Sequence, residues 1–417
     1  MTFSLFLSGS PIFLMTAFSL ILAAPAAARE YEQTPVILEA NRILSPDWIQ
    51  GENYLVAENV LNDGLINTYH LSTDYGHLTV EGTAELMIRI TELRALAVME
   101  EMDQKGVFGD AVVAGVERPF QGAADLVGSP VETGRGIVKG TGRFLSNVGR
   151  SIVSDDPYQD NALKVSLGYD AAKRQFAYEL GINPYSNYEP VISRLAEIAR
   201  AAVAGGMAPR AVMGAIDNKA VAAMRISGVA AGMKQLVRDN PPGELQKINR
   251  AKLAQMSVSP ELAQSFLDNH CYNPQEKTLL VDALERLRGV QGRDLFIRRA
   301  DTAAQHSLAL FYRLTAQMMA GYHAKVAPAA RIRDINGLLH LQTKDGVLAL
   351  IAPVDFIFWT EALEDKIELL EDAIQETGGA ARKELWLSGR IDPGARSQFE
   401  ARGWRVHPKR MPVLLDH

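Results

Sequence analysis

The chain has 417 residues, 47% hydrophobic and 22% charged, with a net charge of −6 at pH 7. That length allows two or three domains with cores of their own. The single cysteine, Cys271, excludes an internal disulfide, so burial has to hold the fold.

The first 28 residues carry no Asp, Glu, Lys or Arg, and their apolar run ends in Ala26-Ala27-Ala28 before Arg29-Glu30. This pattern predicts a secretory signal peptide over 1–28, cleaved after Ala28, with an uncleaved anchor as the alternative. Export to the periplasm follows, and nucleic acid is not an expected partner. Beyond residue 28 no stretch reaches about 20 apolar residues, so no transmembrane helix is expected in the mature chain. The Ala/Gly-rich stretch 196–237 comes nearest, and Arg200, Arg210, Asp217, Lys219 and Arg225 interrupt it.

Residues 29–105 open with three strand-like runs, Tyr54–Leu61, Leu65–Leu71 and His77–Val80. Asn62-Asp63-Gly64 and Thr73-Asp74-Tyr75-Gly76 separate them as turns. Alternation places Leu65, Tyr69 and Leu71 on one face of an antiparallel meander. Thr83 then caps a helix to about Met102, with Leu86, Ile90, Leu93 and Ala97 as its buried stripe.

Residues 106–157 are Gly-rich and dotted with Arg and Lys, which suggests a phosphate loop. The spacing denies it. Gly136 and Gly140 are too close for a P-loop, and Lys139 stands where a dinucleotide motif needs its third glycine. Apolar positions instead recur in steps of three and four from Val116 to Ile152, and Val116, Val127 and Val138 lie 11 residues apart. Eleven residues make nearly three helical turns, which keeps the apolar face straight. The repeat is similar in pattern to those of exchangeable apolipoproteins and synucleins. Val127, Val131, Val138 and Leu145 would contact lipid or a partner, with Arg135, Lys139 and Arg143 meeting anionic head groups or an envelope protein. Glycine costs about 1 kcal/mol and interior proline about 3 in a helix, so the segment needs an ordering surface. That surface is either the protein's own helical domain or a lipid or partner.

Residues 158–330 read as helix after helix. Ser259-Pro260 and Asn273-Pro274 each put a capping side chain before a proline at the first helical position, and Glu276 completes a capping box with Asn273. A long pattern from Arg293 to Ala324, through Leu310, Leu314, Met318 and Tyr322, continues the bundle. Residues 331–417 predict a small α/β unit: a buried strand at Val347–Ala352, an amphipathic helix from Thr360 to about Gln375, then strand, helix and strand. Asp392 caps that last helix and Gly403 ends it. The predicted class is α+β, predominantly α.

The segments AYELGINPYS, AGYH and ELWLSGRIDPGARSQFEARGW resemble a family of exported bacterial proteins with no assigned activity. The resemblance spans most of the mature chain and implies no reaction. Charge is uneven: residues 29–105 hold 14 acidic against 5 basic residues, and 382–410 hold 8 basic against 3 acidic. Two solvated faces explain this; a basic end meeting phospholipid or an acidic polymer is the sharper alternative.

No local motif carries catalysis, and no catalytic residue, metal ligand set or cofactor is assigned. His70 and His77 make a diagonal pair on a polar sheet face, short of the three protein ligands a catalytic zinc needs. Cys271 follows His270 without an orienting third group, the context of an inert thiol. Arg390 and Arg396 flank a helix start whose field Asp392 already occupies, and read as surface charges. The resulting expectation is a non-catalytic exported envelope protein that associates with a membrane surface or partner. The alternative is a periplasmic hydrolase whose site is assembled from distant residues. A deep polar cleft lined by converging titratable groups would favour the second.

Overall fold

Hydrophobic alternation in the sequence builds an N-terminal antiparallel sheet. Strand β1 (Val36–Glu39) is followed by two single-turn helices, α1 (Ala40–Ile43) and α2 (Pro46–Ile49), and by β2 (Gln50–Gly51), β3 (Tyr54–Val56), β4 (Asn59–Asn62), β5 (Asn67–Thr73) and β6 (Gly76–Glu81). The structure, a computed structural model, describes residues 31–104, 168–207, 209–214 and 231–415. The run read as one strand from Tyr54 to Leu61 is two. It breaks at Ala57-Glu58, and β3 and β4 both pair with one edge of β5 while β6 takes the other. Tyr69 and Leu71 face the core as alternation predicts, whereas Leu65 lies in the turn before β5. In that turn Asp63 Oδ1 accepts from the N–H groups of Leu65 and Ile66, and Gly64 has φ +106°.

Helix α3 (Thr83–Gln104) covers this sheet. Leu86, Ile90 and Leu93 are buried; Ala97 is only partly so, because Leu96, Val98 and Met99 bury a wider arc than one stripe. Thr83 is the first helical residue and not the cap. Its hydroxyl meets the Tyr69 hydroxyl at 2.7 Å, and its N–H is held by the carboxylate of Asp355, 272 residues away.

The central helices are α4 (Tyr169–Glu179), α5 (Glu189–Ala204), α6 (Pro209–Gly214), α7 (Ala231–Asp239), α8 (Pro242–Gln255), α9 (Pro260–Asp268), α10 (Pro274–Arg286), α11 (Arg293–Asp301) and α12 (His306–Lys325). Ser259 caps α9, and Asn273 with Glu276 closes the capping box of α10 in both directions. The long pattern from Arg293 is two helices, α11 and α12, interrupted at 302–305. Leu310, Leu314, Met318 and Tyr322 are buried on α12, the central helix of its core.

The C-terminal unit comprises β7 (Ala329–Ile335), β8 (Leu338–Thr343), β9 (Val347–Ala352), β10 (Phe356–Ile357), α13 (Glu361–Glu376), β11 (Arg382–Leu387), β12 (Arg390–Ile391), α14 (Pro393–Ala401), β13 (Trp404–His407) and α15 (Met411–Leu414). Its five-stranded sheet has the order β13-β11-β9-β8-β7; β9, β11 and β13 are parallel, and β7 to β9 antiparallel. Strand β9 is apolar at every position because it is central and covered on both faces. Asp392 accepts from the N–H groups of Gly394 and Ala395, and Gly403 ends α14 with φ +78°.

Of the described residues, 54% are helical and 20% in strands: an α+β fold, mainly α. The described residues from Glu32 onward hold together as one compact unit. Two apolar clusters make its interior. One lies beneath the N-terminal sheet with α3, α4 and α5; the other joins α8–α12 to the C-terminal sheet. Helix α3 touches both, since Ala84 and Ile88 pack against the second. The segment at 355–359 locks the ends together: Asp355 N–H and Phe356 N–H donate to Leu65 O, and Phe358 N–H to Gly64 O. Among the described residues no helix is long and apolar enough to cross a membrane.

Candidate functional site

Where α3 passes between the two cores, its outer face meets α10 and α12 across a cleft of about 180 Å³. One water needs about 10–15 Å³ of such space, so the cleft can take a ligand of several heavy atoms. Its floor is charged. Helix α3 contributes Glu85 and Glu92, α10 contributes Glu276, and α12 contributes His306 and Arg313. Arg174 of α4 and Lys234 and Arg238 of α7 stand on another wall.

Helical periodicity explains how α3 delivers its share. Glu85, Arg89 and Glu92 are spaced four and three, so they stack on one face. Arg89 Nη2 donates to Glu85 Oε1 at 3.1 Å and to Asn187 Oδ1 at 2.8 Å; Nη1 donates to Glu92 Oε2 at 2.7 Å. Its guanidinium also sits 4.4 Å over the ring of Tyr188. The capping box fixes Glu276, whose Oε2 accepts from Asn273 N–H at 3.1 Å.

His306 opens α12 between two carboxylates. Nε2 lies 3.4 Å from Glu85 Oε2, and Nδ1 lies 3.7 Å from Glu276 Oε2 and 3.4 Å from Cys271 O. The Glu85 contact is an ion pair without hydrogen-bond alignment, since Glu85 Oε2 has no hydrogen-bond partner. Burial alone would lower the imidazole pKa, but the Glu85 contact and the charges of Glu276 and Glu85 outweigh it and push His306 up to about 9. His306 is therefore an imidazolium at neutral pH. Burial would raise Glu85, yet His306, Arg89 and Arg313 hold it below the usual carboxylate range. Glu92 is the opposite case: burial dominates over Arg89 and lifts it to about 7. Burial likewise raises Glu276 against the opposing charges of His306 and Arg313. The cleft thus combines an imidazolium at His306 with a carboxyl at Glu92 that burial lifts towards neutrality.

Arg313 is incompletely satisfied. It is more than nine-tenths buried, and its Nη1 donates to Gln317 Oε1 at 2.7 Å; Nε has no partner. Burial lowers its pKa, which marks a net cost of keeping this cation inside.

Val127, Val131, Arg135, Val138, Lys139, Arg143 and Leu145 fall outside the described residues. His70 and His77 are exposed on neighbouring strands, and each meets a hydroxyl on the adjacent strand: Thr79 at 3.1 Å and Ser72 at 3.3 Å. Arg396 contacts Glu400 at 3.9 Å, while Arg390 Nη1 donates to Arg42 O at 2.9 Å and ties the C-terminal unit to α1. Cys271 is half-buried, and its carbonyl oxygen lies 3.4 Å from His306 Nδ1. Glu276 was legible only as a cap. Arg313 and Gln317 leave one trace, long polar side chains one turn apart among buried positions that are mostly apolar. Among the described residues no group of three or more His, Cys, Asp or Glu is placed to hold a metal ion. No family model matches the chain, and no curated protein or solved structure does either.

Proposed function

We propose that the chain is an exported envelope protein whose working site is the cleft over Glu85, Glu92, Glu276, His306 and Arg313, where it binds a small polar ligand and can exchange a proton with it. Of the two readings of the sequence, this favours the site assembled from distant residues. One observation carries it: charged groups from three separate chain segments converge on one cavity and leave Arg313 Nε unpaired there. Buried ion networks also serve as simple glue between helices, but glue satisfies its own polar atoms and leaves no cavity in front of them. Glu92 is the proton-exchanging group in this reading, and His306 the cation that positions Glu85 and Glu276.

The test is a calorimetric and thermal-shift screen of small polar molecules against the full chain, repeated on Glu92→Gln and His306→Gln. A ligand whose affinity falls at least tenfold in either variant supports the cleft. Ligands that bind both variants as they bind wild type would place the working surface elsewhere.

A second reading keeps lipid or partner association for residues 106–157, on the strength of their 11-residue repeat. Co-sedimentation with anionic vesicles tests it. Salt-sensitive binding that Val131→Asp with Val138→Asp abolishes, with unchanged melting, supports it; wild type that stays in the supernatant rejects it.

A further inference from the structure

We infer that the cleft recognises an oxyanion group of its ligand, a carboxylate or phosphate, through the open side of the Arg313 guanidinium. The inference rests on the cleft being the binding site, and names the chemistry that site selects.

Arg313 makes a single hydrogen bond among the described residues, from Nη1 to Gln317, and no ion pair. That leaves the Nε and Nη2 side of the fork without a partner. This is the edge that matches two oxygens of a carboxylate or phosphate in a bidentate pair. A guanidinium more than nine-tenths buried and so poorly paired is costly in a folded protein, and a ligand oxyanion would offset that cost. Among the described residues none of the neighbouring carboxylates hydrogen-bonds to Arg313, and the attraction of Glu276 and Glu85 acts through charge alone and does not outweigh its burial. Glu85 and Glu92 are engaged by Arg89, and Glu85 and Glu276 flank His306.

The charge balance admits an anion. Arg89 and His306 pair with Glu85, Glu92 and Glu276, Arg313 acts on Glu276 and Glu85 only through charge, and burial opposes ionisation of both Glu92 and Glu276. Arg174 and Lys234 also line the cleft but are engaged by other groups, as Arg238 is by Asp239 at 2.7 Å. Gln317 fixes the plane of the fork from one turn further along α12, so the open edge is presented in a defined orientation.

The experiment uses matched probes on the full chain: succinate against succinamide, acetate against acetamide, and inorganic phosphate, each titrated into wild type and Arg313→Met. The expected result is that at least one oxyanion binds in the millimolar range, its neutral amide binds at least tenfold more weakly where one exists, and Arg313→Met loses tenfold or more. Binding of phosphate alone assigns the group to phosphate; binding of the acids assigns it to carboxylate. Gln317→Glu is the second variant. It gives Arg313 an internal carboxylate and should weaken the same oxyanion whether or not Arg313→Met folds. Oxyanion binding that survives both substitutions overturns the inference, as does failure of every oxyanion to bind. Amides that bind in a manner sensitive to Glu92→Gln would overturn it while leaving the cleft as the binding site.

Discussion

Two buried carboxylate systems in this molecule contrast sharply: Asp355, which joins the C-terminal unit to the N-terminal sheet, and the group around His306. Asp355 accepts from Asn67 N–H at 2.9 Å and from Thr83 N–H at 3.0 and 3.1 Å, and the dipole of α3 points its positive end at the same oxygens. Burial raises its pKa against those hydrogen bonds, yet each donor is answered. Around His306 the charges belong to residues that line a cleft, and Arg313 Nε is buried there unanswered. Satisfied polar groups hold a fold; unsatisfied ones beside a cavity point to a ligand.

Removing the joint should give the largest effect. Asp355→Ala orphans two part-buried backbone donors, Asn67 N–H at the start of β5 and Thr83 N–H at the start of α3, a cost of up to about 2–6 kcal/mol. Urea denaturation should show that loss, and Asp355→Asn a smaller one, since an amide oxygen can still accept. A stability change within experimental scatter for Asp355→Ala would erase the contrast.

The second effect depends on pH. The folded-state pKa of His306 lies above its ordinary value, so its contribution is complete below about 6.5 and is lost as pH rises through about 9. The two and a half units between those values correspond to on the order of 3 kcal/mol. Wild type should therefore exceed His306→Gln by about that much at pH 6.5 and lose the advantage above pH 9. Glu85 and Glu276 face His306, with Arg89 and Arg313 behind them; Glu85, being lowered, adds its own loss only in acid. Denaturation midpoints at both pH values check this. A gap between the two proteins that stays constant would mean the imidazole is neutral throughout.

The same contrast explains what the sequence reveals. Elements governed by neighbours are legible: β9 by its unbroken apolar run, α9 and α10 by Ser259 and Asn273 before proline, and α14 by Asp392 and Gly403. Thr83 shows the limit. A local reading makes it a cap, whereas the carboxylate that holds its N–H comes from the other end of the chain. The split of β3 from β4 is equally remote, because two strands sharing one edge of β5 is a tertiary choice. For the cleft the difficulty is greater. Glu85, Arg89 and Glu92 at spacings of four and three look like any solvated helix face, and nothing within α3 reveals that Asn187, Tyr188 and His306 will close over it. Glu276 was visible, but a capping box accounts for it fully. Only the pairing of Arg313 with Gln317 among mostly apolar buried positions departs from local expectation.

The smallest expected effect is the most discriminating. If Arg313 were glue, replacing it with a side chain of similar volume and no charge would destabilise the protein. If it is held for a ligand, Arg313→Met removes a buried cation whose desolvation outweighs its attraction to Glu276 and Glu85, and the ligand-free variant should melt at the same temperature as wild type or higher, with a gain of about 1 kcal/mol. Differential scanning calorimetry of the two ligand-free proteins at pH 7 decides between these. Equal or raised Tm agrees with a site kept open for a ligand; a drop of several degrees would show that the guanidinium is structural and contradict it.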